Sequence, residues 1–320
     1  MRSTMQILLA AFLITATCVT AISVLAQGRP PLRVHKVNKT QPIKLVPANQ
    51  QPPAESRVTI REEDGFRVIT CNDIPRHNVG QFPNPGNPHT IAEQQWKIRL
   101  PLHPTQQKKA TSLHQSSGRG PPNMPFGLGI NGVLFEPGTA EFWMGNRKAD
   151  WNYEALGGAI RLGLDANHAH VQPGGIYHYH GAPIGLLNEL HIHADEHSPI
   201  IGWAADGFPI YYLHGYENPE QKDSAIKELT SSYRLRQGER PDGTSGPGGD
   251  YDGTFVQDYE FIKGEGDLDE CNGRFCITPE FPDGTYAYFF TKEWPVIPRA
   301  FRGKPVNLRE ARPSDRQRRR

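Results

Sequence analysis

Three pairs of histidines, each separated by one residue, stand close together in the middle of the chain: His168 and His170, His178 and His180, and His191 and His193. Imidazole nitrogen is a preferred ligand of zinc, copper, nickel and iron. Alternate side chains of a strand point to the same face, so His178 and His180 would project together while Tyr177 and Tyr179 point away. The spacing therefore predicts a metal site on a strand.

The most economical ligand set is His170, His178 and His180, because a catalytic zinc site uses three protein ligands and keeps one position open. Four neighbouring side chains could complete this set, form a second site or orient the first ligands, namely His168, His191, His193 and Asp195. An isolated histidine pair is usually just solvated, and it is the clustering that favours a metal. No C-x-x-C motif accompanies the histidines, so copper and zinc are equally compatible with the site.

Carboxylates elsewhere in the chain allow functional and structural interpretations. Glu136 and Glu141 are open to a functional or a structural interpretation. Asp206 could be a general base or a hydrogen-bond partner of the histidines, but it begins Asp-Gly-Phe-Pro, which is turn chemistry, and we favour the turn. The acidic residues 250–258 and 267–270 lack the ligand offsets of an EF-hand loop, so polar turns are favoured over a calcium site.

The chain contains a weak internal repeat. Residues 165–180 and 269–289 both read Asp, then Asn, then Pro, Gly and Tyr-x-Tyr. The second stretch has alanine and phenylalanine where the first has His178 and His180. If both stretches form similar hairpins, the tyrosines belong to the scaffold and only the first copy binds metal.

Composition narrows the class of protein. The 320 residues carry a formal net charge of +1, which predicts no strong surface field and argues against nucleic-acid binding. The 32 glycines and 29 prolines are scattered, as expected for short elements joined by many turns. Motifs for a serine nucleophile, a nucleotide phosphate loop, a dinucleotide site and a His-Glu-x-x-His zinc site are all missing from the sequence.

The ends of the chain differ from its middle. Arg2, a long apolar run and small residues before Gln27 predict a secretory signal over residues 1–26, with a retained membrane anchor as the alternative. Either way the protein is exported to the periplasm, the medium or the cell surface, with no membrane span after signal removal. Residues 27–56 read as a disordered linker, residues 57–303 as the folded domain, and the basic residues 304–320 as a disordered tail.

Export places the cysteines in an oxidising compartment. Cys271 and Cys276 are close enough in sequence to form a tight disulfide, which is our first expectation, and Cys71 would then be the odd thiol. A pair between Cys71 and Cys271 is the alternative, because spacing alone does not fix connectivity.

The apolar pattern predicts a mainly β fold, with α+β as the alternative, in one large domain of short strands and long loops. Strands are expected at residues 57–60, 66–70, 96–100 and 129–135. Short helices are expected at residues 151–156 and 224–236.

Several motifs, in order, resemble those of the YHYH-domain family of exported proteins. They are Gly-Ile-Tyr-His-Tyr-His-Gly at residues 175–181, and residues 131–141, 151–157, 170–173, 201–211 and 267–273. The resemblance spans roughly residues 58–302 and implies export but no settled activity. The family commonly has asparagine at the position of His168, which makes this histidine the less secure ligand.

Two functions from different classes follow. The first is an exported metalloprotein, with copper or zinc in its histidine site, that acts on an unidentified small molecule. The second is a non-catalytic extracellular module that binds a surface polymer or partner, and in which the histidines are structural or solvated.

Overall fold

Short strands dominate the structure, a computed structural model that describes residues 36–114 and 123–311. In this part of the chain the strands are β1 (Val58–Glu63), β2 (Phe66–Cys71), β3 (Trp96–Pro101), β4 (Thr111–Ser112), β5 (Gly127–Gly129), β6 (Leu134–Phe135), β7 (Ala169–Val171), β8 (Tyr177–Tyr179), β9 (Gly202–Ala204), β10 (Pro209–Tyr212), β11 (His214–Tyr216), β12 (Ile226–Glu228), β13 (Tyr233–Leu235), β14 (Tyr259–Phe261), β15 (Gly273–Cys276), β16 (Thr285–Phe290) and β17 (Ala300–Phe301). The α-helix α1 spans Ile184–Glu189, and single 3₁₀ turns lie at Trp143–Gly145, Arg147–Ala149, Val256–Asp258 and Leu308–Ala311. The mainly β class predicted from sequence is confirmed.

An eight-stranded sheet forms the centre of the fold, in the order β15-β16-β10-β9-β5-β6-β8-β7. A three-stranded antiparallel sheet, β1-β2-β3, and three strand pairs accompany it. Within the central sheet β10 runs parallel to β16, β6 runs parallel to β8, and the other neighbours are antiparallel.

The central sheet is built from two similar halves. Strands β5, β6, β7 and β8 form one half, and β9, β10, β15 and β16 repeat the same pairing in the other. The halves meet where β5 pairs antiparallel with β9, around Leu128 opposite Trp203. Each half begins with a hairpin whose turn contains Asn-Gly or Asp-Gly, and Gly132 and Gly207 take positive φ values of 78° and 95°.

The second hairpin of each half is the internal repeat of the sequence. Oδ1 of Asp165 accepts from the backbone N–H groups two and four residues later, at 2.9 and 3.2 Å, and Oδ1 of Asp269 does the same at 2.8 and 3.3 Å. The Tyr177 hydroxyl donates to Asp165 and the Tyr286 hydroxyl donates to Asp269. The repeat is therefore a structural duplication, with the tyrosines as scaffold.

Aromatic side chains from both halves meet in the main core. The ring centroids of Phe135 and Phe290 lie 4.8 Å apart, and those of Phe126 and Tyr288 lie 4.9 Å apart, both edge to face. All four side chains are fully buried. Such pairs contribute about 0.5–1.5 kcal/mol each beyond area burial, so the two halves share one apolar interior.

Residues 36–56 lie along the domain, although their composition predicts a linker. Backbone N–H groups of Val37, Gln41 and Val46 donate to carbonyls of residues 159, 157 and 164 at 3.2, 3.0 and 2.8 Å. The predicted signal, residues 1–26, lies outside the described residues. No helix within the described ranges is long and apolar enough to cross a membrane.

Both predicted helices are wrong. Residues 151–156 have no helix, and Asn152 and Tyr153 make isolated bridges to Phe142 and Phe255. Residues 224–236 hold the edge strands β12 and β13, because pairing with β11 and β14 outweighs their helical propensity. The strand expected at residues 129–135 is interrupted by a turn and becomes β5 and β6.

The expected disulfide does not form, because Cys71, Cys271 and Cys276 are all free and buried. Cys276 is the last residue of β15, which carries the chain away from Cys271 by about 3.3 Å per residue, whereas a disulfide needs Cα atoms about 4.4–6.8 Å apart. Cys271 packs in the main core, while Cys276 packs with Tyr211 and Phe289 in a separate cluster.

Candidate metal centre

The hairpin of β7 and β8 brings three histidines together. His170 and His178 are directly opposite each other in the antiparallel register, and His180 follows the end of β8 on the same face as His178. Nε2 of His180 lies 3.0 Å from Nε2 of His178 and 3.1 Å from Nε2 of His170. Among the described residues, this is the one group of three or more His, Cys, Asp or Glu side chains placed to share a metal ion.

The other ring nitrogens determine which tautomers are present. Nδ1 of His170 lies 2.8 Å from the Leu162 carbonyl oxygen, and Nδ1 of His178 lies 3.4 Å from that of Ile176. A carbonyl only accepts, so these contacts favour the proton on Nδ1 and a lone pair on Nε2 in both rings, although the Asn87 side-chain nitrogen also lies 3.3 Å from Nδ1 of His170. A proton on Nε2 of His180 serves only one of its two contacts. In the other contact two nitrogen lone pairs face each other, and a cation bound between them would be favourable.

The cluster is held in its neutral form. His178 and His180 are 1% and 2% exposed, and burial lowers the pKa of both well below the ordinary histidine value. Burial lowers the pKa of His170 to about 4. Neighbouring imidazoles add to the effect at His178 and His180, because a second positive charge would be repelled. Neutral imidazole is the form that binds metal.

A cavity of about 260 Å³ opens beside the three histidines. Its lining combines small and apolar residues with polar and charged ones: Gly86, Gly138, Ala140, Leu162, Val171, Pro173, Asn87, His89, Asn123, Thr139, Gln172, Glu136, Glu141, Arg161 and Arg309. A metal ion on the histidines would therefore have room for a further ligand, as a catalytic rather than a closed structural site requires.

Glu136 and Arg309 form an ion pair in the cavity wall. Sequence reasoning left Glu136 open between a functional and a structural role, and it did not consider Arg309. Nε2 of Gln172 also donates to Glu136 at 2.6 Å. Burial raises the pKa of Glu136, and Arg309 opposes this shift. Arg309 belongs to the expected disordered tail. The sequence signal that this stretch packs on the domain was Val306 and Leu308, two apolar residues among basic ones. Leu308 is 1% exposed.

The other half of the sheet has different side chains at the equivalent positions. By strand register, Arg274 replaces His170, Ala287 replaces His178 and Phe289 replaces His180. Tyr211, the register partner of Phe289, stacks on it with centroids 5.5 Å apart. The space that holds imidazoles in one half is filled by aromatic packing in the other.

The remaining candidate ligands lie apart from the cluster. Nδ1 of His168 contacts the Ala182 carbonyl at 2.9 Å, and its backbone has φ 53°, as does that of its counterpart Asn272. His191, His193 and Asp195 are exposed and are not part of the cluster. The structure thus brings together His170, His178 and His180, the set that the sequence singled out, and leaves His168 and the pair at residues 191 and 193 apart from it.

The tyrosines of the motif point away from the cavity. The Tyr177 hydroxyl donates to Asp165 at 2.7 Å, and the Tyr179 hydroxyl contacts Asn131 and His77 at 2.9 and 2.5 Å. Carboxylates of the acidic stretches considered for calcium form ion pairs with arginines. Asp258 pairs with the buried Arg240, and Asp269 pairs with Arg302.

Asp206 occupies the turn of the β9–β10 hairpin, away from the cavity. Its Oδ2 accepts from the Tyr288 hydroxyl at 2.5 Å and from the Gly303 N–H at 2.8 Å. Asn131 holds the equivalent position in the other half and bonds to Tyr179, the counterpart of Tyr288. Burial raises the pKa of Asp206 to about 6.

This raised pKa predicts a pH-dependent effect of Asp206→Asn. The folded protein favours the protonated carboxyl, so the contribution to stability is complete below the unfolded pKa and is lost as pH rises through about 6. Relative to the variant, the wild type should gain about 2–3 kcal/mol in free energy of unfolding between pH 7.5 and pH 4. Urea unfolding at both pH values measures this difference, and an equal difference at both would contradict it.

Fold and site together define a β-rich protein with a duplicated sheet, one copy of which carries a buried three-histidine cluster beside a cavity. Residues 97–303, more than half of the chain, match the family model described as YHYH protein. The chain therefore belongs to the YHYH protein family, as its motifs predicted. No curated protein and no solved structure matches it.

Proposed function

We propose that the protein is an exported metalloprotein that holds one divalent copper or zinc ion on Nε2 of His170, His178 and His180. The observation that carries the proposal is the convergence of these nitrogens at 3.0 and 3.1 Å. Tetrahedral ligands about 2.0–2.1 Å from zinc lie about 3.3 Å from one another, so the two separations from His180 need only a small outward adjustment. All three ligand atoms lie within 4.8 Å of one another. Export is supported by the signal-like N-terminal sequence.

The hydrogen bonds behind the ligands also suit a metal. Backbone carbonyls of Leu162 and Ile176 face Nδ1 of two ligands, the arrangement that fixes ring orientation and tautomer in histidine–metal sites. With three protein ligands and a cavity alongside, a fourth position is open. A metal held by these histidines would supply Lewis acidity and would lower the pKa of a water bound to it. The reaction stays unassigned.

Elemental analysis of the purified protein tests the proposal. About one copper or zinc ion per chain is expected, and metal at one hundred times its Kd should raise the free energy of unfolding by about 2.7 kcal/mol. Chelator should reverse that gain. A metal-free protein whose stability is the same with metal and with chelator would instead support the alternative of a non-catalytic binding module.

The lowered histidine pKa values predict that metal is retained in mild acid. Protons compete with metal only near and below the pKa of about 4 of His170, whereas an exposed histidine site begins to protonate near pH 6.5. After dialysis, metal content should therefore be unchanged between pH 7 and pH 5 and should fall by pH 3.5. Loss of half the metal by pH 6 would contradict the neutral, buried cluster.

A further inference from the structure

The charged side chains of the cavity lining balance one another. There are two carboxylic acids and two arginines: Glu136, Glu141, Arg161 and Arg309. The three histidine ligands are neutral, so they do not offset the charge of a divalent ion. A charge that is withdrawn from water and left uncompensated is costly. A metal-loaded site therefore favours an anion at its open position.

Arg161 is the arginine available to such an anion. Arg309 is already paired with Glu136, whereas Arg161 makes no ion pair within residues 36–114 and 123–311. Arg161 is exposed at the edge of the cavity and directly precedes Leu162, whose carbonyl holds His170. A guanidinium at this point attracts an anion toward the metal and adds to its binding energy.

The apolar part of the lining and the cavity volume limit the size and polarity of the ligand. Ala140, Leu162, Val171 and Pro173 present apolar surface. A cavity of about 260 Å³ lies just below the range of about 300–1,000 Å³ that is usual for ligand pockets. An anion with a compact apolar body matches both properties better than a sugar or a peptide.

Resting on the proposed metal centre, we infer that this cavity binds a small organic carboxylate, with its carboxylate at the metal, its charge further offset by Arg161, and its apolar body against Leu162, Val171 and Pro173. The ligands expected to bind share one negative charge and a compact hydrocarbon body. A neutral molecule of the same shape lacks the interaction with the uncompensated ion.

Benzoate and benzamide are a matched pair of probes for this inference, because they share shape and differ in charge. Isothermal titration calorimetry of the zinc-loaded protein should show benzoate binding at least tenfold more tightly than benzamide, and no benzoate binding to metal-free protein. Arg161→Gln should weaken benzoate binding five- to tenfold with zinc content unchanged. Arg76→Gln, an exposed arginine outside the cavity, is the control and should have no effect.

Absorption spectra of cobalt-loaded protein locate the ligand, since benzoate at the metal should change the visible bands. Equal binding of the two probes, or no benzoate binding to protein with full zinc content, would overturn the inference while leaving the metal centre in place. An unchanged benzoate affinity in Arg161→Gln would remove the role of Arg161. A protein that takes up no zinc would be detected by elemental analysis before any probe is added, and would overturn the metal centre and the inference together.

Discussion

Replacing His178 and His180 together by alanine is expected to lower metal affinity by well over about 100-fold. Losing a residue that only hydrogen-bonds to a metal ligand already costs roughly 10- to 100-fold. Two of three ligand nitrogens are removed, and one imidazole does not hold the ion against water. Equilibrium dialysis followed by elemental analysis measures the loss. The control is His191→Ala/His193→Ala, which removes an exposed pair with the same spacing and should bind metal as tightly as the wild type.

The buried position of both ligands calls for a second variant. Because alanine leaves space in the core, the double alanine variant will be less stable. His178→Ala/His180→Phe instead copies Ala287 and Phe289 from the other half and refills that space. It should be folded by circular dichroism and still lack metal. Full metal occupancy in this variant would rule out the three-histidine centre.

Asp165→Ala is expected to lower the free energy of unfolding by about 4 kcal/mol, since each buried donor left without an acceptor costs about 1–3 kcal/mol. The carboxylate is fully buried and accepts from the N–H groups of Gly80, Asn167 and Ala169 and from the Tyr177 hydroxyl. Urea unfolding measures the loss. Because these bonds shape the hairpin of the histidines, metal affinity should fall as well.

Asp269→Ala is the matched control for that variant. Asp269 makes the equivalent bonds in the other half, but its side chain is 29% exposed and water replaces part of what is lost. Its cost should be about 2 kcal/mol, with metal affinity unchanged. If both variants lose metal to the same degree, the two halves do not act separately, and the assignment of the site to one hairpin is wrong.

Local patterns predicted the scaffold of the site well. Alternation in Tyr177–Tyr179 correctly placed the tyrosines opposite His178 and His180, because strand geometry fixes the direction of neighbouring side chains. The repeat of Tyr-x-Tyr correctly indicated a second hairpin. Both inferences depend on residues that are close in sequence.

Contacts between distant residues could not be predicted in this way. Glu136 and Arg309 are 173 positions apart, and nothing in either local sequence points to the other. The turn in residues 129–135 was missed because its apolar residues continue through the Asn-Gly turn. Residues 36–56 lack apolar periodicity and are ordered instead by backbone hydrogen bonds to the domain, which composition does not reveal.

The junction between β5 and β9 has the symmetry of a homodimer interface, although it lies within one chain. Leu128 and Trp203 are each other's partners and hold equivalent positions in the two halves, and Gly127 pairs with Ala204 as Gly202 pairs with Gly129. Homodimers pair like with like in this isologous manner, but both surfaces must then be identical. Joining two such units in one polypeptide lifts that requirement, so one unit can carry a polar histidine cluster while the other keeps an aromatic interior.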